Sequence, residues 1–574
     1  VSGIVGEKIL ILNHTRIGDL IQTTPLIAAL KAEDPTRHIA LLANARFADI
    51  LSFTEGIDET LLFDMKQFAA DDGNEPDTLA VYTYLSDLLD RLVAERFDRV
   101  INLSHSKVSA VMTLAAHAVA VSGFDATPRG ERVVRGAWLT YFTALLSFRM
   151  GNRFNLVDMY MKAGGVDPTP DARLRLAPAP GGEQAVRARM TERGLSENET
   201  LIGVQAGASR EDRRWPPASF ARAADELARR ENARIVLFGA PAEKRLGDEV
   251  AAAMRSEPIN LIGQTDLAEL VSWVKRLSLL VTNDTGTMHI AAAFGVPIVA
   301  LFFVHARAEE TGPYVENALV LQADIECAPC SHATRCDHYS CLTRTTADDV
   351  VAAGISLLRA TPLPEKKNGL FAGTLVLRPA FSLDDGMYDL WPEHRPLLPE
   401  HDLAGRILRP VVGEGLARWE RPTDAVYPAE AVSRTLGAIA RRYTPPPAAA
   451  LTGWIDRGIK GIDRLAELAA VGERLARQAA APADPARLAA AIEKNDADIR
   501  TVGETFPGLA PLTVTFRRRI ENLDDLPPQA LADAVVTAAA WLAHTAAMAR
   551  RAYADAARLI VWAEETEHNR SLRT

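Results

Sequence analysis

All four cysteines of the chain fall between Cys327 and Cys341, and no other position holds one. That excludes a disulfide framework spread over the fold and points to a reducing compartment with one special site. A basic surplus is missing as well. The formal net charge is -10, so nucleic acid is not an expected partner, because phosphate-backbone binding shows as an excess of Lys and Arg. Val1 to Gly6 hold no basic residue, and the apolar run 9–12 is far too short for a signal peptide or a membrane span. A cytoplasmic protein is the expectation. No Gly-x-Gly-x-x-Gly follows the first apolar run, which disfavours a dinucleotide-dependent dehydrogenase.

What is present is a chain of 574 residues, 48% hydrophobic and 24% charged. That composition is globular, and the length exceeds what one hydrophobic core supports, so two to four domains are expected. From residue 8 to about 124, short apolar runs alternate with longer amphipathic stretches, the pattern of βα units feeding a mostly parallel sheet. The runs 8–12, 38–44, 60–63, 99–103 and 118–123 are its strand candidates. Residues 173–183, with Pro178, Pro180, Gly181 and Gly182, read as a linker. A second alternation follows, with strand candidates at 201–205, 234–239, 259–262, 279–283 and 297–303 and helical patterns at 219–231 and 267–277.

Two doubly wound sheets in series account for this, and ligands of such sheets sit beyond the carboxyl ends of the strands. The predicted division is a Rossmann-like domain over 1–175 and a second over 176–362 containing the Cys-rich segment 327–341. A Pro-rich irregular region over 363–448, with short strands around 373–377, and a helical domain over 449–574 complete it.

Three strand-end loops carry the chemistry. After the first strand comes Arg16-Ile17-Gly18-Asp19, followed by Thr23-Thr24-Pro25. Gly18 permits a tight turn, and Asp19 falls near a helix start, where it is either an N-cap or a carboxylate that takes a proton from an attacking hydroxyl. The run from Gln205 to Pro216 follows a strand with small residues and then Arg210, Arg213 and Arg214. Such a loop either is a solvated charged turn or cradles a diphosphate without a metal. The third is Asn283-Asp284-Thr285-Gly286-Thr287-Met288-His289, a strand, a polar turn and a helix, in which Thr285, Gly286 and Thr287 present amides and the positive helix end to a phosphate. His289, one turn in, is either structural or a phosphate or sugar contact.

Taken together, Arg16 to Asp19 with Thr23-Thr24-Pro25, then Asp212-Arg213-Arg214-Trp215-Pro216, then Asn283 to His289 leading to Gly295-Val296-Pro297, resemble the ADP-heptose:lipopolysaccharide heptosyltransferases of glycosyltransferase family 9 over about residues 8 to 355. The resemblance implies a GT-B fold of two Rossmann-like domains, the first (1–175) on the acceptor side and the second (176–362) on the donor side, here followed by a mainly helical C-terminal extension. It implies inverting, metal-independent transfer of a heptose or similar sugar from an ADP-sugar to a lipopolysaccharide core or surface glycan. By motif position it makes Asp19 the general base and Arg213 the basic residue, often lysine in the family, that holds the donor diphosphate. Asp284, Thr285, Gly286, Thr287 and His289 fall on the phosphate loop beside Gly18, and Glu243 on the acidic residue that takes the ribose hydroxyls.

No cofactor is expected for the transfer itself. Cys327, Cys330, Cys336 and Cys341 have the spacing C-x2-C-x5-C-x4-C and are read either as a structural zinc or iron site or as reduced or disulfide-forming thiols. The acceptor is expected to be a glycolipid, with peripheral contact at the inner membrane. Lys107, Arg129 and Arg132 are basic candidates for its anionic groups. Two further readings are a protein glycosyltransferase that docks a flagellin or an adhesin on the helical extension, and a non-catalytic nucleotide-binding scaffold.

Overall fold

The computed structural model describes residues 6–68, 77–331, 334–394, 396–420, 426–479, 485–523 and 526–571. Residues 1–5, on which part of the leader expectation fell, lie outside them. The described chain divides into two compact units, one of residues 1–132 with 154–394 and one of residues 133–153 with 395–574.

The first unit holds two sheets. Strands β1 (Lys8–Leu12), β2 (His38–Asn44), β3 (Glu59–Phe63), β4 (Arg99–Asn102), β5 (Ala120–Ala126) and β6 (Arg132–Arg135, which runs from this unit into the second) form one, in the order β3-β2-β1-β4-β5-β6. Its central pairs are parallel, with Leu10 opposite Ala40 on one side and Val100 on the other. All of Ile9 to Leu12 are fully buried, as a strand covered by helices on both faces requires.

The second sheet contains β7 (Leu201–Gln205), β8 (Arg234–Phe238), β9 (Ile259–Asn260), β10 (Leu279–Asn283), β11 (Ile298–Phe302), β12 (Ala318–Ala323), β13 (Thr374–Phe381) and β14 (Tyr388–Pro392), in the order β14-β13-β12-β11-β10-β7-β8-β9. Strands β7 to β12 pair in parallel, and β13 and β14 close the edge antiparallel. In each sheet the order reverses beside the first strand, at β1/β4 and at β7/β10, so the two clefts open at the loops after β1 and β7.

Four expectations are corrected. The stretch 173–183 is not all linker, because helix Pro180–Glu192 starts within it with Pro180 at its first position, where the missing amide hydrogen costs nothing. The fifth strand lies two to three residues later than predicted, and β6 and β12 are additional. The region 363–448 is far from irregular: it holds β13, β14 and helices Glu400–Glu420 and Ala429–Arg442. Two of its prolines sit at tolerant places, while Pro410 lies inside helix Glu400–Glu420. Pro379 lies in β13 beyond the residues paired with β12, and Pro428 sits before a helix.

Finally, Val133–Arg153, placed by the sequence in the first domain, clusters with residues 395–574. Helix Ala137–Ala144 is buried at every position except Phe142, so it needs partners on all sides. It finds them in the second unit, where the Ala137 amide donates to Glu420 at 2.8 Å.

The second unit is helical, as expected, with Ala448–Ala479, Pro485–Thr505, Ala510–Glu521, Pro528–Asp555 and Arg558–Ser571 as its further helices. Buried Asp402 joins its two chain segments. The carboxylate takes Arg153 through an ion pair, Arg406 at 3.1 Å and the Tyr443 hydroxyl. Burial pushes the Asp402 carboxyl up, but the Arg153 and Arg406 charges and the donated hydrogen bonds hold it below the ordinary carboxylate value. The stretch Gln529–Asn569 is long and apolar enough to cross a membrane by composition alone. Within the unit, however, Ala538, Leu542, Ala549 and Tyr553 on it are buried, as on the core helix of a bundle.

Candidate functional site

A cavity of about 460 Å³ lies in the first unit at the carboxyl ends of both sheets. From the β1 side it is lined by Arg16, Ile17, Gly18, Asp19 and Gln22, and from the β7 side by Gln205, Ala208, Ser209 and Arg213. The loop after β8 adds Gly239 to Pro241 and Glu243, and the loop after β10 adds Asp284 to Thr287, His289 and Ile290. Four chain segments far apart in sequence thus meet. Every non-cysteine residue singled out above as catalytic or donor-binding is on this wall.

Asp19 is in the first turn of helix Ile17–Gln22, and the N-cap position belongs to Arg16, so the capping reading of Asp19 does not hold. Its backbone is fixed instead. Asn13, fully buried, donates to the Asp19 carbonyl at 3.1 Å and to Thr23 Oγ1 at 2.9 Å. Among the described residues no hydrogen bond engages the Asp19 carboxylate. It is a half-buried acceptor with its lone pairs open to the cavity.

Across the cavity the helix Gly286–Ala293 begins with Thr285 in extended backbone and no side-chain cap, leaving first-turn amides for an anion. The helix and the β1 loop nearly touch. A Cβ on Gly286 would stand 2.4 Å from Ile17 Cγ2, so only glycine permits this approach. His289 is 4% exposed, and burial lowers its pKa below 6.5 against the opposing pull of the Asp284 and Asp19 charges. The ring is neutral at neutral pH, and its buried Nδ1 has no partner among the described residues.

Only one of the three arginines after β7 reaches the cavity. Arg210 is turned back onto Asp212 at 2.6 Å and Arg214 onto Glu211 at 3.3 Å. Arg213, 9% exposed, forms an ion pair with Asp284 and contacts Ser209 Oγ at 3.4 Å. This pair ties the β7 loop to the β10 loop. Asn283 reinforces the tie, donating to the carbonyls of Ala206 at 2.7 Å and Gly207 at 3.1 Å while accepting from the Trp215 amide at 3.3 Å.

Glu243 accepts from the Ala240 amide at 2.9 Å and from Gln205 Nε2 at 3.2 Å, and Gln205 Oε1 accepts in turn from Thr287 Oγ1 at 3.3 Å. Gln205 therefore orients two cavity residues at once. Sequence reasoning passed over it, although a polar residue ending a buried strand is the available signal. Gly207 faces Glu243 so closely that a Cβ there would lie 1.8 Å from its Oε1.

The basic candidates of the first lobe do not line the cavity. Lys107, Arg129 and Arg132 are exposed, and Arg132 donates to the His105 carbonyl at 2.6 Å. His105 feels the Asp19 charge, although burial dominates and lowers its pKa.

The four cysteines lie close enough for their charges to act on one another. All four are free thiols, Cys327 exposed and Cys341 buried, and among the described residues no group of three or more His, Cys, Asp or Glu side chains is placed to hold a metal ion. Burial, then the proximity of the other thiols, pushes Cys330 up. Burial also raises Cys341.

Residues 86–339 match glycosyltransferase family 9 (heptosyltransferase). The lipopolysaccharide heptosyltransferase 2 of Salmonella typhimurium is 28% identical over 308 residues, covering 51% of this chain and 82% of the relative. A lipopolysaccharide heptosyltransferase 3 of Escherichia coli is 25% identical over 288 residues, covering 50% and 80%. Among solved structures, a family 9 glycosyl transferase from Veillonella parvula aligns at 23% identity over 62% of this chain and 98% of its own, with a TM-score of 0.49. Over these residues, which carry two Rossmann-like sheets, the chain is similar to the family 9 heptosyltransferases.

Proposed function

We propose that the protein moves a heptose, or a closely similar sugar, from an ADP-sugar to a hydroxyl of a lipopolysaccharide core or other surface glycan, with inversion and without a metal in the chemical step. The supporting observation is the shared cavity, which brings an uncommitted carboxylate on one lobe to face a guanidinium, an uncapped helix start and a second carboxylate on the other. The names of the curated relatives supply heptose and lipopolysaccharide. Such an acceptor is membrane-anchored, which puts the reaction at the cytoplasmic face of the inner membrane.

A sugar hydroxyl is a weak nucleophile at neutral pH, so its proton must leave as the new bond forms. Asp19 takes it. The departing diphosphate gathers negative charge, which Arg213 and the amides of Gly286 and Thr287 meet with donors already in place. Arg213 serves both Asp284 and the diphosphate because a guanidinium carries five N–H donors in a fixed fork. Glu243, held by Gln205 and the Ala240 amide, accepts from the ribose hydroxyls. Neutral His289 contributes an imidazole at the phosphate end without adding charge.

Asp19→Asn keeps the shape and removes the base. Turnover is expected to fall about 10²- to 10⁴-fold, while calorimetric titration with ADP gives the wild-type affinity. Near-normal turnover in that variant removes Asp19 from the role, and tighter binding of UDP or GDP than of ADP reassigns the donor.

A further inference from the structure

On the wall of the cavity at the carboxyl ends of the two sheets, three buried side-chain nitrogens have no partner among the described residues. They are Arg213 Nε, His289 Nδ1 and Gln22 Nε2. Arg213 and His289 serve the diphosphate end in the proposed transfer, and Gln22 has no part in it. Gln22 ends helix Ile17–Gln22, one turn after Asp19 and on the same face, and it is 1% exposed.

The polar side chains around Gln22 are satisfied. Thr23 Oγ1 donates to the Asp19 carbonyl at 2.9 Å and Thr24 Oγ1 to the Ile21 carbonyl at 2.7 Å, while Asn13 Nδ2 donates to both the Asp19 carbonyl and Thr23 Oγ1. The Gln22 amide, by contrast, makes no hydrogen bond among the described residues. Leu20 and Ile21 beside it are buried apolar side chains, so packing alone asks for no amide here. Hiding an unpaired amide destabilises the fold, and an unbranched apolar side chain of the same length removes that cost.

We propose that Gln22 contacts the sugar being transferred, its side-chain amide exchanging a hydrogen bond with a ring hydroxyl of the donor. This rests on the sugar-transfer function proposed for the same cavity. An amide both donates and accepts, as a sugar hydroxyl does. It is also neutral, so it holds the ring without altering the charge beside Asp19. The helix that carries Gln22 packs on helix Gly286–Ala293, whose uncapped start faces the diphosphate in that function. The sugar on that diphosphate has to present its anomeric carbon to a hydroxyl held at Asp19, with the reacting atoms about 3–3.5 Å apart. Its ring then lies along the stretch of wall that Asp19 and Gln22 share. Arg213 and the helix amides hold the group that departs, and Gln22 holds the group that moves.

The test compares ADP with ADP-heptose on the full chain, by isothermal titration of wild type, Gln22→Met and Gln22→Leu. Wild type is expected to bind ADP-heptose more tightly than ADP. In both variants ADP affinity is expected to stay within about twofold of wild type while ADP-heptose affinity falls about three- to tenfold, the worth of one hydrogen bond. A purely structural role would weaken both ligands alike. Without ligand, Gln22→Met is expected to melt at or above the wild-type Tm, because a buried unpaired amide is gone.

The proposal is overturned if the preference for ADP-heptose over ADP is the same in both variants as in wild type, or if ADP affinity falls in parallel. It is also overturned if Gln22→Met melts well below wild type, which reveals a partner for the amide inside the protein. Unchanged ADP-heptose affinity with a raised acceptor KM places the contact on the acceptor and overturns the assignment to the donor. The sugar-transfer function fails separately, when wild type itself binds ADP-heptose no more tightly than ADP. With that preference present and unchanged in the variants, only the Gln22 contact fails.

Discussion

At the scale of single residues, the cavity is shaped as much by what is missing as by what is charged. Gly207 has no side chain because the Glu243 carboxylate occupies that space. Gly207→Ala is therefore expected to leave the fold intact, since the group displaced is the end of a flexible side chain, and to move Glu243 off its Gln205 and Ala240 partners. Losing a charge-assisted contact to the donor costs about 1.5–3 kcal/mol, which isothermal titration with ADP would register as roughly a tenfold or greater loss of affinity.

His289 supplies a test by pH. Its folded pKa lies below 6.5 because of burial, so as pH falls through that value the unfolded chain takes up a proton that the folded chain refuses, and stability declines. The contribution is complete above 6.5 and is lost below it. Melting temperatures measured from pH 7.5 down to 5.5 should fall less steeply in His289→Gln than in wild type. Equal slopes would mean that this histidine does not resist protonation.

At the scale of elements, most strands could be read from the chain because each is a short apolar run bounded by turn residues. Strand β1 and strands β7 and β10 fall where predicted to the residue. The motif loops were legible for the same reason, since a polar turn at the end of a buried strand has nowhere to go but the cleft. What stayed hidden depends on pairing across long distances. Strand β12 is as fully buried as β7 and β10, and it is its parallel pairing with β11 that marks it as a strand. Helix Glu400–Glu420 contains Pro410 and begins among prolines, so local propensity argued against it.

In that helix Asp402 meets Arg153 from a segment 249 residues earlier, a partnership no local pattern encodes. Asp402→Asn leaves Arg153 and Arg406 buried with a neutral partner. A loss of about 3–5 kcal/mol is expected, to be read from urea midpoints, and a change below about 1 kcal/mol would show that the network carries little of the unit's stability.

At the scale of the molecule, the catalytic lobes and the helical unit are not consecutive along the chain. A protein ending after His394 keeps both sheets, including β13 and β14, but leaves Val133–Arg153 without the segment it clusters with. Trp138, Leu139 and Tyr141, each at most 2% exposed in the full chain, would then lose their cover. Such a truncation is expected to be insoluble or rapidly cleaved near residues 137–144 under limited proteolysis. A soluble, protease-resistant product that still transfers sugar would show that the excursion is dispensable.

The same interleaving sets a timetable during synthesis. Residues 133–153 leave the ribosome early, and the segment that covers them begins roughly 240 residues later. At about 5–20 residues per second, a nascent stretch of tryptophan, leucine and tyrosine waits on the order of tens of seconds for its partner. The first sheet is therefore completed while this apolar stretch still lacks the segment it clusters with.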